Sequence, residues 1–481
     1  MEKLKIGCIA DDFTGASDIA SFFQKGGLKT TLFTGIPSET DTAIVNDAQA
    51  VVIALKCRTT PSSEAVRDVL TAAAWLKAAG AEKLYYKYCS TFDSSPEGNI
   101  GPISDAMLDW LGTPYTILCP SLPANGRLVK DGRLYVNGVP LDESPMKNHP
   151  ITPMWDSRLK VLMESQSRYP VFELTAEEMK KGPGYVHTLM ERYSAAHAHF
   201  YIVPEYYEDG HGELIESCFR ELPFYTGGSG LAVALGKQAV SENVNAASGI
   251  SSEAKIPHEV PAQRIPAHTE EAQEAAQGTA VNVEAAQGML IEAKAAQAAV
   301  EKEAGRTAAH KAPGSAILIA GSCSAMTQKQ VSTFKEEGGS SFFIDPEKLL
   351  SGEITKEQIL KHMEAHKEEP VLYYSSDNAE NVRRAQTHGM EMVSGMLEQT
   401  MAELAFKAAE QGITRIIVAG GETSGAVTQK LGFSAFRVGA SIAPGVPVLT
   451  PYSREDVRLV LKSGNFGDEH FFKKALELTA D

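Results

Sequence analysis

Asp11 and Asp12 close the apolar run Ile6-Gly7-Cys8-Ile9-Ala10 and are followed by Phe13, Thr14 and Gly15. A carboxylate at a strand end, just before the chain turns into a helix, can accept the proton of a ligand hydroxyl or orient that hydroxyl. Its neighbour can fix the loop through backbone hydrogen bonds. Asp12 is the first candidate for this role and Asp11 the second, with Thr14 and Gly15 in the same ligand-facing loop. The same residue types also cap helices, so an N-cap explains the pair as well.

A second polar segment runs Lys87-Tyr88-Cys89-Ser90-Thr91-Phe92-Asp93-Ser94-Ser95-Pro96-Glu97-Gly98-Asn99-Ile100-Gly101-Pro102, after one strand pattern and before a helix pattern. Lys87 offers a cation, Ser90, Thr91 and Asn99 offer directed donors, and the amides near Gly101 point from a helix start. Together they suit a carboxylate. Arg58, past another strand, supplies a planar second cation at the same sheet edge. The alternative is that Lys87 and Arg58 are solvated surface charges. His149-Pro150-Ile151-Thr152-Pro153-Met154 is stiffened by two prolines and presents His149 either to a substrate hydroxyl or to solvent. Thr226-Gly227-Gly228-Ser229-Gly230 lets the backbone approach a ligand closely at Gly228 and Ser229, or simply turns into a helix.

Phosphate-type loops lie nearer the C-terminus. Gly420-Gly421-Glu422-Thr423-Ser424-Gly425 follows a strand and opens a helix, offering amides and hydroxyls to phosphate oxygens. Lys462-Ser463-Gly464-Asn465-Phe466-Gly467 has the glycines, aromatic and cation to close over a nucleotide. Neither loop is Gly-x-x-x-x-Gly-Lys-Ser/Thr, and no Gly-x-Gly-x-x-Gly follows a strand, which argues against P-loop and dinucleotide-dehydrogenase readings.

These loops need strands to carry them. Apolar runs at 5–10, 50–55, 84–88, 115–118 and 199–203 alternate with helical patterns such as 62–79, the signature of parallel βαβ units. A second α/β pattern has strands at 316–320, 371–374, 415–419 and 446–449, with a helix within 381–411. Between them, residues 238–313 are rich in Ala, Gln and Glu, with helix propensity but no wide apolar stripe. The expected fold is α/β in two domains, an N-terminal parallel-sheet domain at 1–237 and a C-terminal α/β domain at 314–481, joined by this low-complexity linker, disordered or loosely helical.

The chain has 481 residues and a formal charge of -16, which repels nucleic acid and anionic membrane. Its six cysteines show no Cys-x-x-Cys pair, no apolar run has the length of a membrane span, and the start at Met1 lacks a signal-peptide pattern. A cytoplasmic location is expected.

Taken together, these motifs resemble the four-carbon acid sugar kinase family. The Asp11-Asp12-x-Thr14-Gly15 loop belongs to its substrate domain, and the 87–102 and 149–154 segments are similar to those of its 3-oxo-tetronate kinase branch. The resemblance covers nearly the whole chain outside the linker. It implies ATP contacts from Ser322 and Ser324, from Gly420, Gly421, Glu422, Thr423 and Ser424, and from Gly464. It also implies transfer to a C4 hydroxyl of a small sugar-acid partner; in the mechanism expected from these residues Mg²⁺ bridges phosphate oxygens and Lys87 or Lys462 neutralises developing charge, and a homodimer is left open. D-threonate or D-erythronate phosphorylation, or a non-catalytic nucleotide-regulated sugar-acid-binding protein, are the competing readings.

Overall fold

The computed structural model describes residues 3–148, 152–247, 315–375 and 390–480. The expected His149 site, residues 248–313 of the linker and residues 381–389 of the long helix lie outside the described residues.

The N-terminal half carries β1 (Ile6–Ala10), β2 (Thr30–Thr34), β3 (Ala50–Ala54), β4 (Lys83–Lys87), β5 (Tyr115–Cys119), β6 (Arg127–Lys130), β7 (Arg133–Val136), β8 (Val139–Pro140), β9 (Val171–Leu174), β10 (Phe200–Pro204) and β11 (Phe224–Gly227). The C-terminal half carries β12 (Ala316–Ala320), β13 (Ser340–Phe343), β14 (Val371–Tyr374), β15 (Arg415–Ala419), β16 (Ala435–Ala443), β17 (Val446–Pro451) and β18 (Arg458–Lys462). Among the described residues, β6, β7 and β8 form a small antiparallel sheet, and the remaining strands form one sheet in the order 13-14-12-15-18-17-16-2-3-1-4-11-5-10-9.

Every residue of β1 and β3 is buried, as expected for parallel strands covered on both faces, and this explains their unbroken apolar runs. Along that order pairing is parallel from β2 through β3, β1, β4, β11, β5 and β10 to β9, and from β13 through β14, β12 and β15 to β18. The β16–β17 hairpin is antiparallel and joins the halves: β16 pairs with β2, with Phe436 opposite Leu32. At the seam Phe13 meets Phe436 edge-on at 6.2 Å, and the hydroxyls of Thr31 and Tyr452 are 3.1 Å apart.

The sequence reading puts residues 238–247 in the linker, whereas here they continue the helix Ala232–Ala247. Ala-rich sequence favours helix, and this one packs on helix Phe13–Lys25. No helix among the described residues is long and apolar enough to cross a membrane.

Candidate active site

The order β3-β1-β4-β11-β5 places the C-terminal ends of these strands side by side, where open α/β sheets collect ligands. Asp11 and Asp12 follow β1, Arg58 follows β3, Lys87 ends β4, and Gly228 and Ser229 follow β11. Local sequence and long-range register therefore agree on one polar edge.

Asp12 is in fact the N-cap of helix Phe13–Lys25: its Oδ1 accepts the Gly15 amide at 2.5 Å, and its Oδ2 lies 3.4 Å from the Thr14 hydroxyl. The cap and the functional reading are compatible, because one oxygen remains on the Arg58 side. Arg58 donates through Nε and Nη2 to the two oxygens of Asp11, both at 2.9 Å, and Nη2 is 2.8 Å from Asp12 Oδ2. Expected to grip a ligand carboxylate, Arg58 is instead committed to two carboxylates of its own chain. Burial pushes Asp11 above the ordinary carboxylate range despite Arg58. Burial also pushes Asp12 upward, but Arg58, Lys87 and the Gly15 amide outweigh it and hold Asp12 below that range.

Lys87 is buried, donates to the Tyr88 carbonyl at 2.8 Å, and lies 3.1 Å from where a Gly15 side chain would begin. A larger residue at position 15 would thus press on both Lys87 and Asp12. Ser90 is half-buried on the turn beyond Lys87, while the Thr91 hydroxyl donates to Asp93 at 2.6 Å. Asn99 and Gly101 form walls rather than ligand donors. The Asn99 amide donates to the Cys57 and Thr60 carbonyls, both at 2.8 Å, and so pins the loop that carries Arg58. Gly101 donates its amide to Gln166, and a Cβ there would lie 2.5 Å from the Gln166 carbonyl oxygen. Gly228 packs against the Pro120 carbonyl, and Ser229 donates to Asp18.

Asp18 escaped the sequence reading. It is 4% exposed, its Oδ1 has no partner, and a Cβ on Gly445, at the tip of the β16–β17 hairpin, would lie 2.2 Å from that oxygen. Gly445 has φ +81, a backbone region that favours glycine. Burial raises Asp18 to about 6, with Lys87 and Ser229 acting against it. Its one sequence signal was a charged residue inside the run Ala16 to Phe23, whose other members are small or apolar.

A second cluster is built the same way. β12, β15 and β18 are neighbours, with Ala320 opposite Ala419 and Ala419 opposite Lys462. The turns that follow them carry Ser322 and Ser324, Gly420 to Ser424, and Gly464. Gly420 has φ +131, and a Cβ there would be 3.1 Å from the Ser322 amide; a Cβ on Gly464 would be 2.3 Å from the Ser322 hydroxyl. Helix Gly421–Leu431 starts here and aims its free amides outward. Lys462, 1% exposed, donates to the Thr327 hydroxyl at 3.1 Å and to the carbonyls of Ser463 and Gly464 at 3.1 and 2.8 Å. Burial lowers it to about 7. Its three donors are filled, so it shapes the Gly464 turn.

The clusters meet across the seam. Helix Phe13–Lys25, which starts at Asp12, packs on β16, β17 and helix Gly421–Leu431. Glu398 is raised by burial and by Glu422, against the pull of Lys56 from the other half. Among the described residues, eight buried side-chain polar atoms lack a partner; six of them, on Asp18, Ser121, Asn125, Arg127, Gln330 and Ser424, lie at these two strand-end edges. Buried polar atoms are normally paired, so this concentration sets the two edges apart from the rest of the interior.

An ionisable edge and a cradle of amides and hydroxyls, brought together by helix Phe13–Lys25 at one seam, suit a two-domain phosphotransferase. Residues 6–235 match the family described as the sugar-binding N-terminal domain, and residues 317–472 the nucleotide-binding C-terminal domain. Proteins named 3-oxo-tetronate kinase from Brucella melitensis biotype 1 and Salmonella typhimurium LT2 are 36% and 35% identical, across 99% and 98% of this chain and 96% and 98% of their own. A crystal structure from Salmonella typhimurium LT2, described as a candidate tRNA synthase, matches with a TM-score of 0.76 at 35% identity over 98% of each chain. A Haemophilus influenzae protein matches with a TM-score of 0.70 at 34% identity, over 98% of this chain and 100% of its own. The chain belongs to the four-carbon acid sugar kinase family.

Proposed function

We propose that the protein transfers the γ-phosphoryl group of ATP to the C4 hydroxyl of a four-carbon acid sugar, with 3-oxo-tetronate as the substrate and 3-oxo-tetronate 4-phosphate as the product. The observation that carries this reading is the apposition of the Asp12–Lys87 edge and the Gly420–Gly464 cradle on either side of helix Phe13–Lys25.

In this mechanism Asp12 accepts a hydrogen bond from the attacking hydroxyl and orients it, Arg58 and the Gly15 amide keep Asp12 ionised and aimed, and Lys87 offsets the negative charge that develops. The amides at the start of helix Gly421–Leu431 and the turns at Ser322 and Gly464 hold the phosphates. No group of three or more His, Cys, Asp or Glu able to hold a metal exists among the described residues. Mg²⁺ is commonly held by one or two carboxylates plus phosphate oxygens, and Glu422 and Glu398, which lie close enough to act on one another, fit that donor set. Bound there, Mg²⁺ would neutralise phosphate charge. The net charge of -16 disfavours a polyanionic nucleic-acid substrate, and the scattered free cysteines suit a cytoplasmic setting.

The test is a coupled ADP-release assay with 3-oxo-tetronate, D-threonate, D-erythronate and their L-isomers. ADP release with 3-oxo-tetronate above the others is expected. Activity confined to D-threonate or D-erythronate would move the substrate within the class, activity confined to uncharged sugars would overturn the class, and melting shifts with the acids but without ADP would indicate a binding protein.

A further inference from the structure

The carboxylate of an acid sugar needs a donor-rich partner, and Arg58 spends three of its five N–H donors on Asp11 and Asp12, so two carboxylates of its own chain already offset its charge. Lys87 stands between Asp12 and Asp18, and its charge acts on both.

A different pair of donors sits farther along the same edge. After β5 the chain passes through the short helix Pro123–Asn125 into β6, bringing Asn125 and Arg127 close together. Arg127 Nη1 donates to the Asn125 carbonyl, while Arg127 Nε and Asn125 Nδ2 are buried donors without acceptors. Ser121, whose hydroxyl also lacks a partner, underlies Gly230, where a Cβ would be 2.3 Å from the Ser121 carbonyl oxygen. Gly230 follows Ser229, the donor to Asp18, and the Arg127 charge acts on Asp18. The loop therefore belongs to the same polar edge. Two unpaired N–H donors, one of them cationic, suit a ligand group that only accepts.

We propose that Asn125 and Arg127 bind the carboxylate of the sugar acid, so that the acid lies along the strand ends with its far hydroxyl towards Asp12. The inference rests on the acid-sugar kinase reading and gives that site its polarity. β5 and β1 are three strand spacings apart in the sheet, about 14 Å. The reach of the Arg127 and Asp12 side chains plus one four-carbon acid covers this span.

The experiment compares steady-state kinetics of the acid with those of its primary amide, which keeps the hydroxyls and loses the charge. Arg127→Met should raise KM for the acid by about ten- to hundredfold, the range of a hydrogen bond to a charged group. It should leave KM for ATP unchanged and narrow the acid-over-amide preference by a similar factor. Asn125→Asp, isosteric but anionic, should weaken acid binding while sparing the amide. It also keeps the proposal testable if the Arg127 variant does not fold. Unchanged KM for the acid in both variants, or equal losses for acid and amide, would overturn it. A wild-type protein that releases ADP with no four-carbon acid would overturn the kinase reading and this inference together. Wild-type turnover with unaffected variants would overturn this inference alone.

Discussion

Arg58 grips Asp11 at two points, Nε to Oδ2 and Nη2 to Oδ1, each at 2.9 Å, and the same Nη2 stands 2.8 Å from Asp12 Oδ2. One guanidinium thus fixes the two carboxylates that begin helix Phe13–Lys25. Asp11 is 2% exposed, so removing Arg58 leaves a buried carboxylate with only the weaker pull of Lys87 to offset it. Arg58→Met should cost about 3–5 kcal/mol in urea unfolding, the range for breaking a buried pair from one side. Arg58→Lys should recover little of it, because a point charge cannot make both contacts. Adding Asp11→Asn to Arg58→Met should restore much of the loss. An Arg58→Met protein as stable as wild type would show that the pair is not structural.

Asp12 carries two roles that one substitution separates. Asparagine keeps an acceptor for the Gly15 amide and caps helices as well as aspartate does. Asp12→Asn should therefore melt near the wild-type temperature yet lose about 10² to 10⁴ in turnover. Circular dichroism melting beside the ADP assay reads both quantities. Wild-type turnover in Asp12→Asn would remove Asp12 from the chemistry.

Much of this arrangement is legible in the linear sequence, for local reasons. Asp11-Asp12, Lys87 and the Gly420 turn announce themselves because a strand pattern ends where each begins. The Gly321-Ser322 and Gly420-Gly421 turns, both small-residue turns after a strand, are brought side by side because β12 and β15 are adjacent. Long-range pairing is what the sequence hides. Neither β2 nor β16 was anticipated, and their pairing makes two α/β halves into one sheet. The engagement of Arg58 by Asp11 and Asp12, and of Asn99 by the carbonyls of the Arg58 loop, depends on contacts some forty residues apart in the chain. Residue type predicted a donor at each position but not whether the donor was already occupied. Asp18, Asn125 and Arg127 were missed for the converse reason: they look like ordinary helix and turn residues until burial removes their partners.

The raised Asp18 gives a pH signature whose sign can be fixed. Its folded pKa, about 6, exceeds the ordinary unfolded value of about 3.9. Between these values the native state holds more protons than the unfolded chain, so stability falls as pH rises through the window and levels off above it. The full change is about 3 kcal/mol. Asparagine does not titrate, so the stability of Asp18→Asn relative to wild type should climb from pH 4 to pH 6 and then remain constant. Urea unfolding at several pH values checks this. A difference independent of pH would mean that Asp18 titrates normally in the folded protein.

Lys462 looks from the sequence like a phosphate-binding lysine, yet its three protons go to Thr327 Oγ1 and to the carbonyls of Ser463 and Gly464. Thr327 donates to the Gly464 carbonyl as well, at 2.8 Å, so the turn hangs on two side chains. An ammonium used in this way acts on nucleotide binding through the position of Gly464. Lys462→Met fills the same buried volume and releases the turn. It should raise KM for ATP by about ten- to hundredfold, with kcat and KM for the acid close to wild type. Thr327→Val, which removes one neutral hydrogen bond, should shift KM for ATP in the same direction by less, about tenfold at most. A fall in kcat with KM for ATP unchanged would give the opposite answer, since only a group that reaches the transferring phosphoryl produces that pattern.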